Sequence, residues 1–367
     1  MTIDAPSIAV LGDTNIDAWF QLETRPRWDD VTHSDHAMLV AGGKGLNMAL
    51  GVARLGGRAT LLSAIGVDVW GETLRRQIED LLVRLSVSVD IAKHDLSIAG
   101  SVDLDHILTV AAPTPLCGVL TNRTVNNPAF IGTKQLPIWN GFSFPSEWQE
   151  VIEDSQVLIA CLALPMETVC DAIRIAKASG TLVVLNPGPP PRDSVEYQRL
   201  ADILEYVDVM VPNEYEAKRL IATGKNHIPI AESAEIAERL QEAISDDRIG
   251  LVCITKGKEG FDAVYSAKEE RDEEVILRKR RFRGKVTAIT TDPVGRGDAY
   301  CAALAVELAS GKTAEYALRF AAAAASVAMR TAGAAAAMPN RGDVQTALSR
   351  RRVTVTEIYG SESDQTT

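Results

Sequence analysis

The sequence contains no Cys-x-x-Cys pair, no dinucleotide-type G-x-G-x-x-G, no Walker G-x-x-x-x-G-K-[ST] and no internal repeat. The two missing glycine motifs leave the corresponding nucleotide folds without support. Five cysteines (Cys117, Cys161, Cys170, Cys253, Cys301) are scattered, several within apolar runs, so buried free thiols in a reducing compartment are expected. Positive charge is also short. Lys and Arg number 38 against 49 Asp and Glu, and the formal net charge of -11 disfavours nucleic acid as a main partner, because phosphate backbones are bound by excess Lys and Arg. A single nucleotide, which needs only a local electropositive pocket, is not excluded. The N-terminal MTIDAPSIAVLGD lacks the basic start and long apolar stretch of a signal peptide. The one membrane-like window, FAAAAASVAMRTAGAAAAM, is weakly hydrophobic and interrupted by Arg330. A cytoplasmic protein is expected, with that window as a buried helix and no membrane partner.

What is present is a chain of 367 residues, 46% hydrophobic, long enough for one large domain or two ordinary ones. SIAVL reads as a buried strand, GGKGLNMALGVARLGG as a glycine turn and helix closed by Gly56-Gly57, ATLLSAIG as a strand and DVWGETLRRQIEDLL as a helix. The same rhythm continues through QVLIACLAL, METVCDAIRIAKASG, TLVVLNPGPP, VDVMVPN, EYEAKRLIATG and IGLVCITKGKEG. Strand and helix in alternation predict a parallel sheet covered by helices. Residues 25–37 read as an exposed loop, 101–150 carry no clear periodicity, and SESDQTT reads as a disordered tail. The charged stretch 266–285 reads as a solvated hairpin whose Arg/Lys run discourages edge pairing.

The chemistry is sought at TTDPVGRGDAYCAALAVELASG. A glycine turn, Gly295-Arg296-Gly297, precedes a buried Ala-rich helix, and free N–H groups at a helix start bind anions well. Asp298 in that first turn suits a general base taking a proton from an alcohol, with neighbouring amides holding charge on a transferring phosphoryl group. Read from this segment alone, it suits a helix cap equally. An adhesion signal in Arg296-Gly297-Asp298, or in the second triplet Arg341-Gly342-Asp343, fits poorly beside an apolar helix. Two further segments favour chemistry. AGGKGLN places Lys44 and Asn47 one turn apart on one helix face, and GDTNID brings Asp13 and Asp17 to the C-terminal end of the first strand, where open parallel sheets bind ligands. His33 and His36 have a spacing that suits a metal, but a solvated loop is the better reading.

AGGKGLNMALGVARLGGRATLLSAIGVDVWGE and DPVGRGDAYCAALAVELASG resemble the two signatures of the ribokinase-type (PfkB) carbohydrate kinases. VVLNPGPP, VPNEYEA, ITKGKEG and RTAGAAAAMP stand in that family's order, over about residues 7–348. The resemblance implies a three-layer α/β/α domain over 1–350, with a mostly parallel central sheet and a small β-sheet lid from about 14–41 and about 100–133, and a C-terminal tail over 351–367. It implies ATP-dependent phosphorylation of a sugar hydroxyl on an unphosphorylated pentose or ketohexose, with Mg²⁺ and a monovalent cation such as K⁺. Asp298 would be the general base, with an anion hole from Gly295, Arg296 and Gly297. Asp17, Gly42, Gly43, Lys44 and Asn47 would hold the sugar. Asn186, Asn213 and Glu216 would lie around the phosphates and Mg²⁺, and Thr255, Lys256, Gly257 and Gly260 would border the nucleotide. Asp292, Val294 and carbonyls near Gly333 would line the monovalent-cation site, and a homodimer through the lid is implied by analogy. Three residues depart from the pattern: Arg296 for a small residue, Pro293 for Thr, and Ala163 where ribokinases carry a sugar-binding Glu. The last leaves a nucleoside kinase as the nearest alternative. The first two are what favours a non-catalytic sugar sensor on the same fold. A sugar-phosphate kinase using Lys44 or Arg123 lacks a basic cluster.

Overall fold

Short runs of Val, Leu, Ile and Ala that are buried on both faces make up the centre of the structure, the pattern of parallel strands covered by helices. The computed structural model describes residues 5–91, 100–122, 128–132, 137–139, 142–222, 232–244, 250–271, 274–287, 294–330, 333–350 and 352–358. In chain order the elements are β1 (Ser7–Leu11), β2 (Asn15–Leu22), β3 (His36–Gly42), α1 (Lys44–Arg54), β4 (Arg58–Gly66), α2 (Val69–Ile91), β5 (Ser101–Asp103), β6 (Ile107–Val110), β7 (Leu116–Asn122), β8 (Ala129–Gly132) and α3 (Ser146–Glu153). They continue with β9 (Val157–Cys161), α4 (Met166–Ser179), β10 (Leu182–Asn186), α5 (Ser194–Ala201), β11 (Val209–Met210), α6 (Glu214–Ala222), α7 (Ser233–Gln241) and β12 (Leu251–Thr255). The last third holds β13 (Phe261–Arg271), β14 (Glu274–Val286), α8 (Arg296–Ala309), α9 (Ala314–Ala328), α10 (Arg341–Ser349) and β15 (Val353–Glu357).

The large sheet runs β15-β14-β13-β12-β11-β10-β9-β1-β4-β5, with β6 also on β4, and is parallel from β12 through to β5. Helices α1, α8, α9 and α10 pack together over one face, and α4 and α7 contact the strands from the other side, with α3, α5 and α6 against them. This is the expected three-layer arrangement. A second sheet, β3-β2-β7-β8, forms the lid. Within the 100–133 span expected for lid strands, β5 and β6 instead extend the large sheet alongside β4.

The charged stretch does form a hairpin, β13 and β14, but not an unpaired edge. β15 pairs with β14 from Phe282 to Val286, so the strand Val353–Glu357 belongs to the sheet rather than to a tail. The basic side chains are matched by carboxylates: Arg283 Nε to Asp262 at 2.8 Å, Arg281 Nε to Glu238 at 2.5 Å, and a two-pronged Arg280 contact with Glu357 at 2.7 and 2.8 Å. The sequence SESDQTT and the side chain of Arg123 lie outside the described residues. Among the described residues no helix is long and apolar enough to cross a membrane. The Ala-rich window is helix α9, buried over most of its length and ending before Arg330. Alanine and glycine serve close packing here. A Cβ on Gly51 of α1 would meet the Ala302 methyl of α8 at 2.8 Å, so the two helices approach along a seam of small residues.

The second Arg-Gly-Asp triplet has a structural explanation. Asn340 caps α10 by accepting from the Asp343 N–H at 2.8 Å. Arg341 turns inward, donating to the Leu55 carbonyl at 2.7 Å and to Glu307 at 2.6 Å, and lies 5.0 Å from the Phe320 ring centroid. Glu307 is fully buried. Removing one partner of such a pair leaves a buried charge uncompensated. Arg341→Ala should therefore cost about 3 kcal/mol in urea denaturation followed by circular dichroism. Adding Glu307→Leu should recover much of the loss; equal losses in the single and double variants would contradict this role.

Candidate active site

The parallel strands end on one edge, and there the chain turns into the segments that carry polar side chains. β1 runs into Gly12-Asp13, whose backbone packs against the start of α1: a Cβ on Gly12 would stand 2.6 Å from the Gly45 Cα. The Asp13 carboxylate accepts the Lys44 N–H at 2.9 Å, serving as a cap that α1 lacks locally, since its N-cap is Gly43. Gly43 sits at φ 101°, a conformation other residues avoid, and a side chain on Gly42 would overlap the Asp17 carboxylate. The glycine pair therefore lets α1 begin directly beneath Asp17.

Asp298 is the third residue of α8, buried to 5% exposure. Its hydrogen bonds do not cap the helix. One oxygen takes the Asn47 amide at 2.8 Å and the other lies 3.3 Å from Lys44 Nζ. The cap reading is thus set aside, as is adhesion, since this carboxylate is not displayed. Burial pushes the Lys44 ammonium down, but the Asp298 and Glu216 charges more than reverse this and hold it protonated. Asp17, on β2, accepts from Asn15 Nδ2 at 3.0 Å. Burial pushes its carboxyl up to about 7 against that hydrogen bond, with the Asp13 and Asp298 charges adding to the rise.

Asn15 escaped the sequence reading, although strand alternation places it on the same face as Asp17. It is 5% exposed, and its carbonyl oxygen and that of Asn47 are both buried without a protein partner. Two unpaired buried acceptors beside two carboxylates fit a ligand bearing several hydroxyls.

The second half of the site lies along β10, β11 and β12. Asn186 accepts the Gly188 N–H at 3.1 Å and points its amide at Cys301 Sγ, 3.3 Å away in α8. Asn213 and Glu216 form a reciprocal capping box at α6, with bonds of 2.8 and 2.9 Å. Local capping alone accounts for that N-x-x-E spacing. Yet Glu216 is buried, and its free oxygen presses on the place where Gly188 would carry a side chain, so Asn186, Gly188 and Glu216 do converge. Thr255 bridges Asn213 across the strand ends. Lys256 turns away into an ion pair with buried Asp262 at 2.6 Å, and Gly260 is required where a side chain would strike the Gly284 carbonyl. Gly257 lies under the Arg296 guanidinium.

Val294 is buried against Trp19 and Val119 of the lid and against Ala334, which also touches Gly295. Val294 and the Gly333 segment therefore meet, whereas Asp292 and Pro293 lie outside the described residues. Ala163 is half-buried in the turn after β9. Among the described residues no cluster of three metal-ligating side chains occurs, so His33 and His36 gain no further ligands. A cavity of about 380 Å³ in the lid loop is lined by Glu23 to His33 and Asp35, and none of the candidate site residues lines it. All five cysteines are free thiols, and burial pushes those of Cys161 and Cys301 up to about 12, which leaves them unreactive.

The profile described as pfkB family carbohydrate kinase matches residues 5–341. Ribokinase of Bacillus subtilis is 26% identical over 343 residues, covering 94% of this chain and 99% of that one. The solved Arabidopsis thaliana ribokinase complexed with ribose and ATP superimposes with a TM-score of 0.67 at 23% identity, over 94% of this chain and 99% of that one. A Methanocaldococcus jannaschii nucleoside kinase does so with a TM-score of 0.68 at 19% identity, over 94% and 98%.

The Asp17 carboxyl makes apo stability depend on pH. It titrates near 7 when folded and near 3.8 when unfolded, so between those values the folded chain holds the extra proton and stability falls as pH rises. Asp17→Asn removes the effect. Thermal melts should give wild type and variant similar Tm values at pH 5, with the variant higher by roughly 2–4 °C at pH 8. A constant difference across that range would count against it.

Proposed function

The chain belongs to the pfkB family of carbohydrate kinases, and on that premise we propose that it transfers the γ-phosphoryl group of ATP to a hydroxyl of an unphosphorylated pentose or ketohexose. The observation that carries this reading is the Asp298 carboxylate, held by Lys44 and Asn47 at the first turn of α8. Asp298 takes the proton of the attacking hydroxyl as the oxygen–phosphorus bond forms, and ADP leaves on the far side of the phosphorus. The N–H groups of Gly295, Arg296 and Gly297, at the positive end of α8, stabilise the charge on the phosphoryl oxygens. Asn15, Asp17 and Asn47 orient the sugar from the lid and from α1. Lys44, which feels both Asp298 and Glu216, stands between the sugar and phosphate halves and moves toward the phosphoryl oxygens as the hydroxyl takes its place on Asp298.

Mg²⁺ would neutralise the phosphates and the leaving group. The single free carboxylate oxygen of Glu216 beside Asn186 and Gly188 fits an ion held through water better than one ligated directly. Val294 and Gly333 would border a K⁺ site together with Asp292.

Ala163 is the feature that favours a nucleoside as acceptor, by leaving space at the end of β9. The fold itself does not separate the two acceptors, since ribokinases and a nucleoside kinase share it. A thermal-shift panel of free sugars and nucleosides with MgADP separates them, because a ligand that binds only the folded state raises Tm. Pentoses or ketohexoses should do so. In a coupled ADP-release assay, Asp298→Asn should lower kcat about 10²–10⁴-fold while the sugar still raises Tm. Turnover unchanged in that variant would remove the general-base assignment, and a chain that binds sugar without any turnover would be a sensor.

The lid also supports a homodimer. Phe20, Leu39, Leu116 and Ile131 share the face of the small sheet opposite Asp17 and Trp19, and each is more than a third exposed. A second copy covering that face would bury an apolar surface that water otherwise meets. Sedimentation at micromolar concentration should give a dimer for wild type and a monomer for the Phe20→Glu/Ile131→Glu variant. A monomeric wild type would exclude this assembly.

A further inference from the structure

Arg296 is this chain's own departure from a small residue, and its placement gives it a use. Gly295, at φ 78°, turns the backbone so that Arg296 becomes the first residue of α8, beside the free N–H groups of the first turn. Its Cζ, Nη1 and Nη2 atoms each lie 3.1 Å from the point where Gly257 would carry a Cβ. Three equidistant atoms mean that the guanidinium plane lies face-on over Gly257. That glycine, at φ 61°, both makes the turn and leaves room for the guanidinium. The side chain thus spans from the start of α8 to the Thr255–Gly260 turn and is half-buried rather than extended into solvent.

The charges around α8 have an order. Lys44 stands on one side of the first turn, against Asp298, and Arg296 on the other, over Gly257. The unpartnered buried oxygens of Asn15 and Asn47 lie on the Lys44 side, with Asp17, and mark where hydroxyls are received. A polyanion reaching the first-turn amides must then approach from the Arg296 side. A cation placed at the positive end of a helix dipole is opposed by that dipole, and an anion of more than one charge lying between them relieves the opposition. The planar fork of a guanidinium suits two adjacent phosphates better than an ammonium does.

We propose that Arg296 is a phosphate-binding residue for the nucleotide, its guanidinium bridging the α- and β-phosphates of ATP or ADP between α8 and the Gly257 turn. This rests on the nucleotide reading of the Thr255–Gly260 turn given above. It adds a side-chain contact to a site otherwise built from backbone amides, and it makes nucleotide affinity depend on phosphate count.

Calorimetric titration of wild type, Arg296→Ala and Arg296→Lys with AMP and with ADP, in Mg²⁺, tests it. Arg296→Ala should weaken ADP about 10- to 100-fold and AMP clearly less, as one of two charge-assisted contacts is lost for AMP and both for ADP. Arg296→Lys should restore part of the ADP loss, and the KM for sugar should stay within about twofold of wild type, apart from the KM for ATP, which rises. Equal losses for AMP and ADP would mean that Arg296 only shapes the turn, and unchanged ADP affinity would mean that it touches no phosphate; either result overturns the proposal. Wild type that turns over sugar while the Ala variant keeps its ADP affinity removes the role of Arg296 alone. Wild type that binds neither nucleotide removes the nucleotide reading and this role with it. Should Arg296→Ala fail to fold, the same AMP-to-ADP comparison on Arg296→Lys decides.

Discussion

A buried carboxylate shared by two helix starts is the constraint on which the site depends. Asp298 is brought into protein at the first turn of α8 and is kept there by Lys44 and Asn47, both from the first turn of α1. A lone carboxylate at that depth would be costly; an ammonium, an amide and the positive ends of two helices offset the cost. The same arrangement ties α1 to α8, so any shift in the packing of the two helices is felt at the reacting carboxylate. The small residues along their seam, Gly51 against Ala302 among them, are therefore as much a part of the site as the polar groups.

A second constraint comes from the lid. β2 carries Asn15 and Asp17 on the face that looks toward the large sheet, and Trp19 follows on the same face, packed with Val119 onto Val294 and Ala334. Lid and anion hole are joined by this small apolar cluster, so the groups that orient a sugar and the groups that hold a phosphoryl oxygen keep a common frame. Four carboxylates crowd the region: Asp13, Asp17, Glu216 and Asp298. They are tolerated because each has a defined partner or, in the case of Asp17, because the proton is retained to about 7.

Much of this could be read in one dimension. Strand and helix alternation is a local property, and β1, α1, β4, β9, α4, β10 and β12 stand where the apolar runs and closing glycines predicted them. The Gly-Gly turn and the Gly-Arg-Gly turn announced anion-binding helix starts for the same reason. What failed was what depends on partners distant in sequence. β14 looked like a charged edge because nothing local shows that Val353–Glu357 will cover it. β5 and β6 looked like lid strands because too few residues separate them from β7 for the pattern to say which sheet they join. Asn213-x-x-Glu216 had two meanings at once, a helix cap and a buried carboxylate, and the spacing shows only that the two residues are near each other.

From the sequence alone one can determine the layer architecture, the glycine-bearing turns and the residue types at the strand ends, because backbone preference and apolar period act over a few residues. Tertiary structure alone decided that Asp298 meets Lys44 and Asn47, from which it is 254 and 251 positions away, rather than capping its own helix. It also decided that Arg341 is inward, that Lys256 turns from the nucleotide side, and that Arg296 lies over Gly257. Each of these is a choice among several partners within reach of a long or charged side chain, and only the packing of helices on the sheet removes the alternatives.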